Sequence, residues 1–352
     1  MSRIDRYSPI SPVEEGAAEA CRQRWTTLAQ PLGSMGRMMD AVVALAGLTG
    51  RPGAPLRRRA VVVLCADNGV VPQGVTQAGQ EVTAILARGL AQGRLTVNQM
   101  ARVAGADVFP VDLGVTVPQE EPGLLDRRIA PGTGDITRGP AMTRAQAEEA
   151  VQTGIDLVAE LKAQGYDILC TGEAGIGNTT TSSAVAAVLL GRDPQEVTGR
   201  GAGLSSHGLR RKVEVIRQAI LQNQPDPQDP LDVLAKVGGF DLAGLCGLYL
   251  GGALYRVPIV VDGFISSVAA LCAQRLRPEC RQAMVASHCS GEPAGPLVLE
   301  ALGLHPLIHA GMRVGEGTGA VAVLPLLDMA LAVYGEMPTF GQLQIESYQP
   351  QT

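Results

Sequence analysis

An α/β protein on a mostly parallel, six-stranded Rossmann-like sheet flanked by helices is what this sequence predicts, and two observations predict it. Six short apolar runs recur along the chain, and alanine-rich helical segments separate them. Strands that alternate with helices require right-handed crossovers, which leave a parallel sheet covered on both faces. At 352 residues, 46% of them apolar, the chain can bury a large core and carry a satellite lobe.

Residues 2–48 read as helical, interrupted by the turn Pro31-Leu-Gly-Ser-Met-Gly-Arg37, and an Arg/Pro-rich linker follows at 51–59. Ala60-Val-Val-Val-Leu-Cys-Ala66 is β-branched and apolar on both faces, and Asp67-Asn68-Gly69 closes it, which suits an interior strand. Residues 108–114, 166–171, 258–262, 283–286 and 306–309 repeat the theme; helices are expected at 81–101, 144–164, 180–190, 263–274 and 320–332. The Pro/Asp-rich residues 222–230 form a surface loop, and the Gly-rich helical segment 237–247 after it is built for close helix packing. A closing helical group, 324–334, is expected beside the N-terminal helices. The expected division is a small helical lobe from 1–50 and 325–352 and a large α/β domain from 58–324.

Composition narrows the partners. A net charge of −5 and only 3% aromatic residues supply neither a basic stripe nor stacking platforms, so nucleic acid is not expected. No apolar run reads as a membrane span, and Met1-Ser-Arg-Ile-Asp-Arg-Tyr7 lacks the hydrophobic core of a secretory signal, so the expectation is a cytoplasmic protein with no membrane partner. Seven cysteines form no Cys-x-x-Cys pair and find no histidine at zinc spacing. They read as buried thiols, with Cys289 beside His288 the one thiol adjacent to a base; no metal and no cofactor are expected.

Ligands of an open parallel sheet bind beyond the carboxyl ends of its strands, so those ends carry the functional reading. They hold Asp67 and Asn68, Thr171-Gly-Glu-Ala-Gly-Ile-Gly-Asn-Thr-Thr180, Asp262-Gly-Phe264, Ser287-His-Cys-Ser290 and Gly315-Glu-Gly-Thr-Gly319. In the second, Gly172, Gly175 and Gly177 bend the chain into a helix opened by Asn178, Thr179 and Thr180, whose free N–H groups and hydroxyls suit an anion. A second turn, Gly199-Arg-Gly-Ala-Gly203, precedes a helix carrying Arg210, Arg211 and Lys212. A helix start needs a cap in any case, so neither turn alone specifies a phosphate. The Walker A spacing is absent, and Gly175-Ile-Gly177-Asn-Thr-Thr180 lacks the third glycine of a dinucleotide fingerprint, which leaves a nicotinamide-dependent dehydrogenase as a weak alternative. Glu316 stands among glycines with no Cβ to obstruct a ligand, although a tight turn with its glutamate in water explains that stretch equally well by itself. A phosphate cradle with two carboxylates, Glu173 and Glu316, suits attack by a nitrogen nucleophile on an oxocarbenium-like sugar carbon.

At these residues the chain resembles the nicotinate-nucleotide–dimethylbenzimidazole phosphoribosyltransferases over nearly its whole length. The resemblance rests on Pro31–Arg37, Cys65-Ala-Asp-Asn-Gly-Val70 with Glu81-Val-Thr83, Gly139-Pro-Ala-Met-Thr143, Gly172–Thr180, Lys236-Val-Gly-Gly-Phe-Asp-Leu242, Asp262-Gly-Phe-Ile265, Ser287-His288 and Arg313-Val-Gly-Glu-Gly-Thr-Gly319. It implies a parallel six-stranded core with a helical lobe, a homodimer, and nicotinate mononucleotide and an aromatic base as substrates. By resemblance, Glu316 is the catalytic base and Glu173 a second acid at the base site. Phosphate and ribose contacts would come from Gly175, Ile176, Gly177, Asn178, Gly201, Gly203, Lys212, Asp262 and Ser290. Ala78, Leu86, Ala174 and Val314 would line the acceptor base. Asp262 is also explained as a strand-end aspartate that caps a loop.

The chain departs from the family pattern where the usual Asp-His-Gly reads Asp67-Asn68-Gly69, where the base-pocket segment reads Thr76-Gln-Ala-Gly-Gln80, and where Ala174 replaces a larger apolar residue. These changes imply a wider acceptor range that takes in other benzimidazoles, purines or phenols. The other reading is a phosphoribosyl-binding paralogue active only with a partner subunit, a heteromer.

Overall fold

The computed structural model describes residues 9–118 and 120–349. Helices α1 (Glu15–Thr27) and α2 (Gly36–Thr49) precede β1 (Arg59–Ala66), α3 (Glu81–Ala91), α4 (Thr96–Ala104), β2 (Ala106–Gly114), β3 (Leu125–Asp126), α5 (Arg144–Ala163) and β4 (Ile168–Ala174). Then come α6 (Asn178–Leu190), α7 (Pro194–Val197), α8 (Ser206–Asn223), α9 (Pro230–Val237), α10 (Phe240–Tyr255), β5 (Ile259–Val261), α11 (Phe264–Leu276), β6 (Met284–Ala286), α12 (Gly295–Leu302), α13 (Thr318–Glu336) and α14 (Phe340–Leu343). The six strands form one sheet in the order β3-β2-β1-β4-β5-β6, and every pairing is parallel.

Strand β1 explains the layering. Ala60, Val62, Leu64 and Ala66 enter one apolar cluster, while Val61, Val63 and Cys65 enter another on the opposite face. Alternate side chains of a central strand point to opposite faces, so an uninterrupted apolar run is covered on both. The Gly-rich segment does allow close packing: a Cβ on Gly154 or Gly247 would collide with backbone across the α5–α10 contact. A third cluster joins Cys21, Trp25 and Leu28 of the N-terminal region to Val42, Ala46, Ala330 and Tyr334. There the Trp25 and Tyr334 rings lie 5.4 Å apart, and Arg24 Nε donates to the Tyr334 carbonyl at 2.7 Å.

Several expectations need correction. Residues 306–309 are not a strand of the sheet; they make one bridge, Ile308 to His288, because Pro306 lacks an N–H and both Leu307 and Ile308 donate to the single Ser287 carbonyl. The sixth strand is β3, only two residues long and too short for any hydrophobic pattern to announce. The helix expected over 81–101 is two, since Gly93 turns at φ 71° and Asn98 closes the new start by bonding Leu95 N–H and the Leu90 carbonyl, each at 3.0 Å. The N-terminal region is helical only from Glu15, residues 2–8 lying outside the described residues, and 320–332 and 324–334 belong to one helix, α13. By length and composition α13 is apolar enough to cross a bilayer, which the sequence reading passes over; half of it is buried in this fold, against α2 and α4.

Candidate active site

In this sheet the strand order reverses between β1 and β4, and the crevice beyond the carboxyl ends at that switch point is where open α/β sheets bind ligands. Glu173 lies at the end of β4 and is 6% exposed. The turn after it leads into α6 through Gly177 at φ 94°, which brings Asn178 and Thr179 of the first helical turn to the crevice.

The loop before α13 is laid directly on this strand. A Cβ at Gly172 would stand 2.5 Å from the Glu316 carbonyl oxygen, and one at Gly315 only 2.6 Å from Glu173 Oε1. Close approach therefore requires glycine at both positions. Glu316 itself holds φ 60°, a left-handed conformation that persists in a residue with a Cβ only where its surroundings enforce it. Asp262 supplies part of that enforcement, its carboxylate accepting the N–H groups of Gly317 (3.2 Å) and Ala320 (2.9 Å).

A cavity of about 250 Å³ opens over these ends. It is lined by Glu173, Ala174, Gly175, Ile176 and Asn178 from the β4–α6 turn, by Gly201, Asp262 and Ser290, and by Leu86, Val314 and Glu316. A smaller cavity of about 80 Å³ shares Gly175, Ile176, Asn178 and Gly201 and adds Gly177 and Lys212. Two expected residues line neither. Gly203 gives its carbonyl to Gln77 Nε2 at 2.5 Å, which ties its turn to the 76–80 segment, and Ala78 N–H is spent on Thr76 Oγ1 at 3.2 Å. Asn68 is fully buried behind the cavity, accepting from Thr181 Oγ1 at 3.1 Å, so its departure from the family pattern lies behind the site.

Buried charge is distributed unevenly. Lys212 is 1% exposed and its Nζ donates to Thr179 Oγ1 at 2.7 Å; burial lowers its pKa to about 8, with the Glu292 charge opposing. Ammonium groups buried without an anion are costly, and this one has donors to spare. At the other end, burial and then the Asp241 charge push the Glu173 carboxyl well above the usual carboxylate range, although Asn178 Nδ2 donates to it. Burial also raises Glu316, against a lowering by the Val97 N–H at the start of α4, and Glu316 Oε2 is buried without a hydrogen-bond partner. A desolvated carboxylate oxygen with no donor is disposed to accept a proton.

Other residues of the site receive no role from the sequence, although most of them lie in its quoted motifs. Glu292, Arg313, His288 and Ile265 line the larger cavity, and Ser287 Oγ lies 3.1 Å from His288 Nδ1. Glu292 follows Ser290 by two residues, so extending the strand-end rule along that loop would find it. Asp241 is fully buried, and its signal is a lone acid in an otherwise uncharged 16-residue helix. Among the described residues no three His, Cys, Asp or Glu side chains converge as metal ligands.

The phosphoribosyltransferase family profile matches residues 10–345. The chain belongs to this family. Among its relatives, the nicotinate-nucleotide–dimethylbenzimidazole phosphoribosyltransferase of Ruminiclostridium cellulolyticum is 47% identical over 99% of both chains, and that of Acetivibrio thermocellus 46% identical over 94% of both. The crystal structure of CobT from Thermus thermophilus superposes with a TM-score of 0.90 at 39% identity, covering 95% of this chain and 100% of that one. The chain is thus a phosphoribosyltransferase on the parallel α/β sheet that its sequence predicts.

Proposed function

We propose that this phosphoribosyltransferase moves the phosphoribosyl group of nicotinate mononucleotide onto a nitrogen of 5,6-dimethylbenzimidazole or a related aromatic base, giving α-ribazole 5′-phosphate and nicotinate for the nucleotide loop of cobamides. One observation carries the reading: a single crevice has a buried ammonium lacking an ion-pair partner among the described residues at one end and a carboxylate oxygen lacking a donor at the other. The relatives' names supply the substrates. In this reading Lys212 Nζ, Thr179 and the N–H groups opening α6 hold the 5′-phosphate. The acceptor lies among Leu86, Ala174 and Val314, its N–H toward Glu316.

The electron count closes without an external acid. The second ring nitrogen forms a bond to C1 of the ribose as the C1–N bond to the pyridinium breaks; that bonding pair neutralises the departing ring as nicotinate. Glu316 takes the N–H proton of the acceptor, and attack opposite the leaving ring turns a β linkage into an α linkage. The small Ala174 side chain, 3% exposed, supports an acceptor range wider than dimethylbenzimidazole. The test is the purified chain alone with nicotinate mononucleotide and a panel of benzimidazoles, purines and phenols, scored by nicotinate release and product mass. Transfer to several rings is expected. No transfer to any ring overturns the reading, and transfer to dimethylbenzimidazole exceeding all others by several orders of magnitude overturns the breadth.

A further inference from the structure

Behind the cavity lies a buried chain of three side chains. Asn178 Nδ2 donates both to Glu173 and to Asp241 Oδ2, the latter at 3.1 Å, so one amide group bridges two carboxyls. Asp241 is fully buried, and its other oxygen accepts the Leu242 N–H at 2.9 Å, in the first turn of α10 where the helix dipole favours a negative charge. The backbone of the β4–α6 turn closes over this group: a Cβ on Gly175 would stand 3.2 Å from Asp241 Oδ2 and 3.2 Å from Asn68 Nδ2. The chain is packed without slack.

The charges that act most strongly on Glu173 have one sign. Asp241 acts on it from α10, Asp262 from the end of β5 and Glu316 from the loop before α13, while Cys65 on β1 is a buried thiol and Asp67 acts on Asp241. No cation is among these, although Arg313 and His288 line the same cavity. Glu316 faces Asp262 and the Val97 N–H of α4. Like charges so close cannot all be ionised, and the group with the least support keeps a proton. Asp241 has the helix start and two N–H donors, and Glu316 is only partly buried. Glu173 has the amide alone.

We propose that Asp241 is a positioning residue that decides which glutamate is the base: its charge, fixed beside Glu173 by the amide they share, holds a proton on Glu173 and so leaves Glu316 ionised to accept the proton of the acceptor ring. This rests on the reading given under the proposed function. Two carboxyls in one site then divide the labour, one kept neutral and one charged, by their surroundings alone.

The experiment compares wild type, Asp241→Asn, Glu173→Gln, the double variant of these two and Glu316→Gln, with one acceptor and the pH profile of kcat/KM as readout, and calorimetric binding of nicotinate mononucleotide alongside. In Asp241→Asn the second negative charge appears on Glu173 and raises Glu316, so the acid limb should move to higher pH by about one unit, with nucleotide affinity within about twofold. Glu173→Gln, permanently neutral, should keep the wild-type acid limb and lose less than about tenfold in turnover, and adding Asp241→Asn to it should move nothing further. An unmoved limb in Asp241→Asn, a Glu173→Gln enzyme as impaired as Glu316→Gln, or a shift that persists in the double variant overturns the proposal. Wild-type transfer in the same assay keeps those outcomes distinct from failure of the functional reading, which would abolish transfer in every variant.

Discussion

The two ends of the crevice are opposites. At one end a lysine from α8 reaches beneath the β4–α6 turn and is answered by a hydroxyl; at the other, Glu173, Asp241 and Glu316 crowd together, and the charges acting most strongly on Glu173 are all negative. Buried charge is ordinarily paired within the protein, and removing one partner of a buried pair costs several kcal/mol. Among the described residues neither end has an internal ion pair, and in the proposed reading the missing partners belong to the ligands: an anion at the lysine end, a proton-bearing ring at the glutamate end. The difference separates anchoring from chemistry. Asp262 links the two, lining the cavity while its carboxylate oxygens hold the α13 start that carries Glu316.

Damage at each end has its own signature. Glu316→Gln should lower kcat by at least about a hundredfold while leaving calorimetric affinity for nicotinate mononucleotide unchanged, the scale expected for a general base. Near-normal turnover would break the comparison and move the base elsewhere, Glu173 first. Lys212→Met should do the reverse, raising KM for the nucleotide about thirtyfold, from the roughly 2 kcal/mol of a charge-assisted hydrogen bond, with a much smaller change in kcat.

The smallest effect is a titration. With Lys212 lowered to about 8 by burial, a bound phosphate favours the charged form and raises it again, so binding takes up a proton above that pH. Affinity should be level below about pH 8 and weaken above it by up to about tenfold per unit, with proton uptake visible in calorimetry across buffers of different ionisation heat. A flat profile to about pH 10, near the ordinary lysine value, would remove Lys212 from the phosphate.

Much of the core was legible because its signal is local. β1 is apolar at every position from Ala60 to Ala66, and a run of that kind fits only an interior strand. The Glu173 turn and the Glu316 loop announce themselves by glycine spacing, and they share one cavity. Less legible were elements whose order comes from neighbours. β3 has two residues and is a strand only because β2 pairs with it; residues 306–309 look like a strand and make a single bridge. Ala78 and Gly203 belong to segments that approach the site while their own polar groups are used in turns.

What the sequence determined by itself was the alternation of strand and helix, the family, and the placing of two glutamates in glycine-rich turns, since apolar period, glycine spacing and residue chemistry are written into neighbouring positions. Tertiary structure alone decided that Asp262 holds the Glu316 loop and that Asp241 shares an amide with Glu173. Asp262 stands 55 and 58 positions from the N–H groups it holds and Asp241 63 from the amide it shares, and electrostatic coupling depends on distance through space and on the exclusion of water, neither of which a linear order of residues contains.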